Sequence, residues 1–597
     1  MNIQERIAAF RRKMAEEDFE AVIVPTADSH ASEYIADHCK TREWLCGFTG
    51  SAGTLVVARK EAALFADGRY FIQAERQLEG SGVTLMRMGT AGVPTMEEYV
   101  LGLASKGGRI GVDFAVVSAK FASELGGRLE KEGASLADTG DWFDEIWTDR
   151  PPMPQKKAYA LDVRYAGRSA QEKLEAIRRE MRKAGADAHV CNVLDDIAWT
   201  LNVRGGDVLN TPVVMSYLIV TQEDATWFVD PAKADGALRD VLAQAGVRIC
   251  AYGAIAGELA KLPAGTRVMA DESKLTAGLR AALSQAEIVQ HENPAFRMKA
   301  IKNETELANL RLAHLRDGAA VTRLMYWLKT NVGRIPMSEI SVSDHLLALR
   351  QEQEGFISPS FNTICAYRAN AAMMHYSATP ETDAALEPRD LLLIDSGGQY
   401  YEGTTDITRT FALGEVAPEQ KKHFTAVLCS MINLASAKFL HGCSGIALDI
   451  LARGPVWDMG IDDRCGTGHG VGYLLSVHEG PNSFRWHKSA TRSEDTVLEK
   501  GMVTTDEPGI YIEGSHGIRT ENELVCRELE SNEYGQFMGF ETITCCPIDL
   551  DAVLPEQMTA RQREWLNEYH AFVREALLER MDNDAEREWL RQATRAI

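Results

Sequence analysis

A repeat constrains this chain more than any other feature. ERIAAFRRKMAEEDFEAVIV (residues 5–24) aligns without gaps with EKLEAIRREMRKAGADAHVC (172–191) at six identical positions, among them Arg11/Arg178, Arg12/Arg179 and Met14/Met181. Each copy reads as an amphipathic helix running into a buried strand, with turn-rich strands after it. Between them lies DRPPMPQKK (149–157). Proline has no amide N–H to give to a helix or a ladder, so this stretch suits a linker. Two related α/β domains are expected, over 1–150 and 158–297.

A third domain is expected over 302–545, with a C-terminal extension over 546–597. Asn303 with Glu306 three residues on is a capping-box pattern that opens a long helix through Asn331. Strand-like runs follow at LLLID (391–395), ITRTF (407–411), VTTDEPGIYI (503–512) and ENELVC (521–526), with a helical pattern over 420–440. The mixture predicts an α+β domain. In the extension Thr559 with Gln562 repeats the cap signal, and Trp565, Tyr569 and Phe572 form a stripe expected to pack against the main body.

Composition narrows the function classes. A length of 597 residues suits roughly three or four domains. The 64 basic and 86 acidic side chains give a net charge of −22, which argues against a nucleic-acid surface or an anionic membrane partner. No run of apolar residues is long enough to span a bilayer. The N-terminus reads as a charged amphipathic helix without the apolar core of a secretory signal. Eleven cysteines, scattered and without a CxxC pair, make a disulfide scaffold or a thiolate zinc site poor readings. A cytoplasmic chain is expected.

Five side chains of the third region are spaced so that they can meet. Asp395 and Asp406 flank GGQYYEGTT, a glycine-rich segment short enough for a hairpin. Glu507 and Glu521 lie symmetrically about Gly514, so a hairpin with its tip there sets them opposite each other. Opposed carboxylates repel, and a cation between them is the natural remedy. His469 adds one nitrogen ligand. Singly, each acid is ordinary surface decoration; together, four carboxylates and one imidazole suit two divalent ions such as manganese, cobalt or iron. A second histidine, His478, lies nine residues after His469. That offset sends the two rings to opposite sides of a helix or a strand, so the pair requires a bend or separate roles.

DSGGQYYEGTTDITRT (395–410), GTGHGVGYLLSVHEGP (466–481), TDEPGIY (505–511) and GIRTENE (517–523) resemble the signatures of the pita-bread metallopeptidases. The similarity is greatest to the long, three-domain aminopeptidase P family, the Xaa-Pro aminopeptidases. It extends through SEYIADHCKTREWLCGFTGSAGT (32–54), DGRYF (67–71), DDIAWTLNVRG (195–205), HYSAT (375–379) and ETITCCPIDLD (541–551). The resemblance implies two creatinase/prolidase-type N-terminal α/β domains followed by a pita-bread catalytic domain. It implies that Asp395, Asp406, His469, Glu507 and Glu521 hold two divalent ions, of which Mn2+ is expected and Co2+, Fe2+ or Zn2+ are alternatives. Glu507 would also be the general base. His478 would assist the oxyanion, His375 would contact substrate, and Arg69 would reach towards the peptide. The implied reaction is hydrolysis of the bond between an N-terminal residue and a following proline. A homodimer is implied as well.

Cys465 stands where many relatives have a histidine, four residues before His469, which bears on the proline side of the substrate cleft. SFRWHKSATRSED (483–495) is somewhat longer than in close relatives. Two other readings stay open: a prolidase cleaving Xaa-Pro dipeptides, and a peptidase fold kept as a binding module.

Overall fold

Both copies of the repeat fold as a helix running into the same strand position, third from one edge of a six-stranded open sheet. The computed structural model describes residues 1–488 and 496–597. These divide into two compact units, Met1–Asp162 with Arg168–Ala295 and Val163–Gly167 with Phe296–Ile597. In the first unit, helix α1 (Ile3–Glu16) leads into β1 (Ala21–Pro25), followed by β2 (Thr54–Ala58), β3 (Ala62–Ala66), β4 (Thr84–Arg87), β5 (Arg109–Val112) and β6 (Ser135–Asp138). Helix α2 (Ala170–Ala184) leads into β7 (Ala188–Cys191), then β8 (Tyr217–Thr221), β9 (Ala225–Phe228), β10 (Val247–Cys250), β11 (Arg267–Ala270) and β12 (Glu287–Gln290).

The two sheets match strand for strand, in the orders β4-β3-β2-β1-β5-β6 and β10-β9-β8-β7-β11-β12. Strand β1 is antiparallel to β2 and parallel to β5, and β7 repeats this with β8 and β11. The identities shared by the two copies have structural causes. Arg11 donates through Nε to the Ala58 carbonyl at 2.9 Å, at the end of β2; Arg178 does the same to Thr221 at 2.9 Å, at the end of β8. Met14 and Met181 are both buried in the helix–sheet layer. The turns after β3 and β9 also correspond. Asp67 Oδ1 accepts from the Arg69 amide at 3.1 Å, and Asp230 Oδ1 from the Ala232 amide at 2.9 Å. Residues 149–157, between the copies, hold no helix or strand.

The second unit opens on α3 (Glu304–Asn331), where the Asn303 side chain and Glu306 cap each other's backbone as the sequence predicts. Strands β13 (Ile364–Tyr367), β14 (Leu391–Ser396) and β15 (Ile407–Ala412) form one antiparallel sheet. The helical pattern over 420–440 is cut short. Helix α4 (Pro418–Ala435) ends, and Lys438–Leu440 becomes edge strand β16, because Phe439 and Leu440 pair with Met538 and Phe537.

After α5 (Gly445–Trp457) come β17 (Gly468–Gly470), β18 (Glu479–Phe484), β19 (Val503–Asp506), β20 (Gly509–Ile512), β21 (His516–Arg519), β22 (Asn522–Asn532) and β23 (Gly535–Thr542). The large sheet runs β16-β23-β22-β19-β17-β18. The run expected as one strand over 503–512 is two, broken at Glu507–Pro508. Pro508 cannot donate to a ladder, so the chain leaves the sheet there.

The extension carries α6 (Ala560–Leu577), capped by Thr559 and Gln562 as expected. Its buried face is Leu566, Tyr569, His570, Val573 and Leu577. The stripe read from the sequence is therefore corrected. Tyr569 belongs to that face, whereas Phe572 is 43% exposed because it lies at the margin of the stripe. Leu566, Val573 and Leu577 join one hydrophobic core with Val427, Leu428 and Ile432 of α4. Burying such side chains contributes about 2 kcal/mol each, so the extension is part of the unit's core.

Candidate metal centre

The register of the strands brings the acids together. In the β14–β15 pair Asp395 faces Thr408 and Ser396 faces Ile407, which leaves Asp406 just beyond the last rung, diagonal to Asp395. In the other hairpin Gly509 faces Arg519 and Ile512 faces His516, with the tip at Gly514 (φ +74°). The β19–β22 ladder continues the same register, Asp506 facing Asn522. Between these two ladders Glu507 and Glu521 fall at opposed positions. The break at Pro508 frees Glu507 from the pleat, and its Oε1 receives the Thr505 hydroxyl at 3.1 Å.

His469 joins them from β17. Its Nδ1 lies 2.9 Å from the Gly470 carbonyl, and its Nε2 lies 3.5 Å from Asp406 Oδ2 and 3.3 Å from Glu507 Oε1. A ring held at Nδ1 presents Nε2 as the ligand nitrogen. One ligand atom from each of Asp406, His469 and Glu521 lies within 4.8 Å of the others. Two carboxylate oxygens of the cluster, Asp395 Oδ1 and Glu521 Oε1, are buried and accept no hydrogen bond among the described residues. Burial, reinforced by Asp395, Glu507 and Glu523, pushes the Asp406 carboxyl well above its ordinary range. Burial, reinforced by Asp406, Glu507 and Asp395, does the same to Glu521. Hard oxygen donors crowded and desolvated in this way fit divalent cations, which remove both the repulsion and the unmet acceptors.

The remaining predicted residues fall as follows. The His478 ring meets the His469 ring, with centroids 4.3 Å apart. The expected bend is the excursion between β17 and β18, where Gly470 faces Glu479 although His469 faces Ser483. His375 is half-buried in the segment after β13, next to Met374, whose Sδ lies 2.8 Å from Cys465 Sγ. That contact sets the HYSAT segment beside the loop leading to His469. Arg69 belongs to the first unit, where its guanidinium is paired with Asp67 at 2.7 Å. Of the long segment 483–495, residues 489–495 lie outside the described residues. All eleven cysteines are free thiols.

Several residues of the site were not read from the sequence. Arg519 donates to Asp395 Oδ2 and to the Tyr511 hydroxyl. The Thr408 hydroxyl donates to Glu521 Oε2 at 2.6 Å, and Glu523 Oε1 accepts the Asp406 amide at 2.8 Å. His314 Nε2 stands 3.1 Å from the other oxygen of Glu523. The Asp463 carboxylate receives the Cys465 and Gly509 amides, and burial pushes its pKa up to about 7. A signal existed for Arg519 and Glu523. Both lie two residues from Glu521, the spacing that keeps side chains on one face of a strand.

The sequence matches the model of metallopeptidase family M24 over residues 308–528 and that of the C-terminal region of peptidase M24 over 536–597. Two models of the creatinase/prolidase N-terminal domain match 6–146 and 149–306. Aminopeptidase P2 of Arabidopsis thaliana is 38% identical, over 100% of this chain and 89% of that protein. A probable Xaa-Pro aminopeptidase P of Sordaria macrospora is 37% identical over 100% and 99%. This chain belongs to the aminopeptidase P branch of the M24 metallopeptidases. The X-prolyl aminopeptidase of Caenorhabditis elegans, described as a cytosolic enzyme with a di-nuclear active site, superposes on this M24 chain with a TM-score of 0.94. It is 32% identical, and the match spans 100% of both chains. A Xaa-Pro dipeptidase from Bacillus anthracis, at 26% identity and a TM-score of 0.50, covers 64% of this chain and 99% of its own. The aminopeptidase P fold is thus two creatinase-type domains followed by an M24 domain, and the chain is a metal-dependent hydrolase. No helix among the described residues is long and apolar enough to cross a membrane.

Proposed function

We propose that the chain releases the N-terminal residue from peptides with proline in second position, using Asp395, Asp406, His469, Glu507 and Glu521 to hold two manganese ions. The observation behind this is the convergence of Asp406, His469 and Glu521, with Glu507 against His469 and Asp395 on the neighbouring rung, in a chain similar to Xaa-Pro aminopeptidases over its whole length. Two bound divalent ions supply Lewis acidity to the scissile carbonyl and lower the pKa of the attacking water.

The side chains do the rest. Glu507, held by the Thr505 hydroxyl, takes the proton from the attacking water. His478, set edge-on to His469, donates a hydrogen bond to the oxyanion as it develops. His375 contacts the substrate and Arg69 reaches the peptide. The free amino group of the substrate pairs with the acids of the site, which restricts cleavage to the first residue. The proline nitrogen leaves, as the scissile C–N bond breaks, with the proton that Glu507 took from the water.

Domain limits at 1–150, 158–297, 302–545 and 546–597, a cytoplasmic location and a homodimer complete the reading. The dimer draws support from two exposed indoles that meet on the catalytic unit: Trp457 is 40% and Trp486 49% exposed, with ring centroids 5.8 Å apart. Isolated apolar residues on a surface are ordinary, whereas exposed aromatic rings packed against each other suit an interface. Cys465 is read as a small packing residue against Met374.

The deciding experiment offers metal-stripped protein an Xaa-Pro-Xaa tripeptide, the matching Xaa-Pro dipeptide and an Xaa-Ala control, with and without manganese, and reads products by mass spectrometry. Manganese-dependent release of the first residue from the tripeptide supports the reading. Cleavage of the dipeptide alone makes the protein a prolidase, and no cleavage under any metal leaves a binding module.

A further inference from the structure

The C-terminal extension reaches the metal centre through one buried arginine. On β15, Thr408 and Thr410 face the glutamate hairpin: the Thr408 hydroxyl donates to Glu521 Oε2 and the Thr410 hydroxyl to the Arg519 carbonyl at 2.9 Å. Arg409, between them, points to the opposite face, as the period of a strand requires. It is 2% exposed. Its Nε donates to the Pro547 carbonyl at 3.0 Å, and one terminal nitrogen donates to the carbonyls of Thr408 at 2.8 Å and Glu521 at 2.5 Å. The other terminal nitrogen donates to Asn522 Oδ1, the Cys546 carbonyl and the Tyr569 hydroxyl, each at 2.9 Å.

Half of these acceptors belong to the ligand-bearing strands and half to the segment after β23 and to α6. A buried guanidinium is tolerated only when its N–H groups are satisfied. The extension therefore completes the solvation of a cation whose other contacts fix the backbone of Glu521. The Tyr569 hydroxyl lies 2.8 Å from the Cys546 carbonyl and 3.0 Å from that of Thr544, so it is itself held in place. Glu521 is thus anchored at both ends, its carboxylate by Thr408 and its backbone by Arg409.

We propose that Arg409 and Tyr569 are positioning residues for the metal centre, through which the C-terminal extension sets the Glu521 backbone for metal binding. This rests on Glu521 being a metal ligand. Outer groups that orient ligands are worth roughly 10–100-fold in metal affinity when they act on the ligand directly. Tyr569 acts through Arg409, so about a 5–10-fold effect is expected for it.

The test is manganese titration of metal-stripped full-length protein by calorimetry, with thermal melts of the metal-free forms alongside. Tyr569→Phe keeps the ring, folds, and binds manganese about 5–10-fold more weakly. Arg409→Lys weakens binding further, and the double variant is no weaker than Arg409→Lys alone, because the other link of Tyr569 to that strand, to Asn522 Oδ1 at 3.4 Å, ends on the same oxygen that Arg409 holds. Val573→Ala, on the same helix face but with no side-chain group to hydrogen-bond Arg409, lowers the melting temperature and leaves the isotherm unchanged. A wild-type isotherm for Tyr569→Phe overturns the proposal, as does an equal loss in Val573→Ala or additive losses in the double variant. Glu521→Gln separates the two levels: an unchanged isotherm there removes the ligand assignment, and the proposal with it.

Discussion

His469 and His478 meet edge to face, with ring planes at 89° and centroids 4.3 Å apart. Nine residues separate them in the chain, and the slip in register between β17 and β18 brings them side by side. One ring turns its Nε2 to the acids while the other packs against it. His478→Phe preserves the aromatic edge and removes the nitrogens. It is expected to keep the manganese content of wild type and to lower kcat by about 10²–10³-fold, with a smaller change in KM. Metal analysis and steady-state kinetics on the same preparation check this, and loss of metal would show His478 to be structural to the site.

Glu507→Gln removes the carboxylate proposed as proton acceptor while keeping the side chain's size. Turnover is expected to fall below about 1% of wild type even where the protein is metal-loaded. Activity that survives this change with metal bound would remove Glu507 from the role of base.

Thr408→Val deletes the hydroxyl that donates to Glu521 Oε2 and accepts Arg519 Nε at 3.2 Å. Without that bond the carboxylate gains freedom, and manganese affinity is expected to fall by roughly 10–100-fold. An unchanged isotherm would mean that the strand backbone alone holds Glu521.

The raised carboxyls of Asp406 and Glu521 give a signed pH dependence in the metal-free protein. Their folded-state pKa values lie above the unfolded ones, so the folded form keeps protons that the unfolded form has released. Stability of the metal-free protein then declines as pH rises beyond the ordinary carboxylate range near about 4. Melting temperatures without metal should fall between pH 5 and 8, with manganese restoring most at the upper end. Manganese binding should also release protons, seen as a buffer-dependent heat in calorimetry.

Two buried histidines act at the acid end. Burial, with a contribution from His423, pushes the His516 pKa down to about 4. Burial, with Arg409, Arg574 and Arg595, pushes His570 down to about 3, and its Nε2 accepts the Ile548 amide at 3.1 Å. A depressed folded-state pKa means stability that is fully present above the unfolded value of about 6.5 and is lost as pH falls towards 4 and then 3. His570→Gln keeps an acceptor without the titration. Its stability gap from wild type should narrow by about 3 kcal/mol between pH 7 and 4 in urea melts; a constant gap would show that His570 does not titrate on unfolding.

Much of this site was written in spacing. The symmetry of Glu507 and Glu521 about Gly514 foretold the hairpin because register in a sheet is a local rule, and the repeat foretold two matching sheets because each copy carries its own helix and strand. What spacing could not supply were bonds between segments far apart in the chain. Arg409 lies 160 residues from Tyr569, and a stripe pattern on α6 says which face is buried but not that a hydroxyl on it meets an arginine behind the metal strand. The end of α4 was likewise decided elsewhere, by the β23 residues that claim Phe439 and Leu440.

The duplicated turn after β3 and β9 lets one half of the chain serve as a control for the other. Asp67 and Asp230 each close their turn by accepting the amide two residues on, so that aspartate is kept for architecture in both halves. The residue donating the amide is Arg69 in the first copy and Ala232 in the second. The turn forms with either side chain, so the arginine is not required by folding. The same address in the duplicated fold thus carries a guanidinium in the first half and a methyl group in the second, on one unchanged turn.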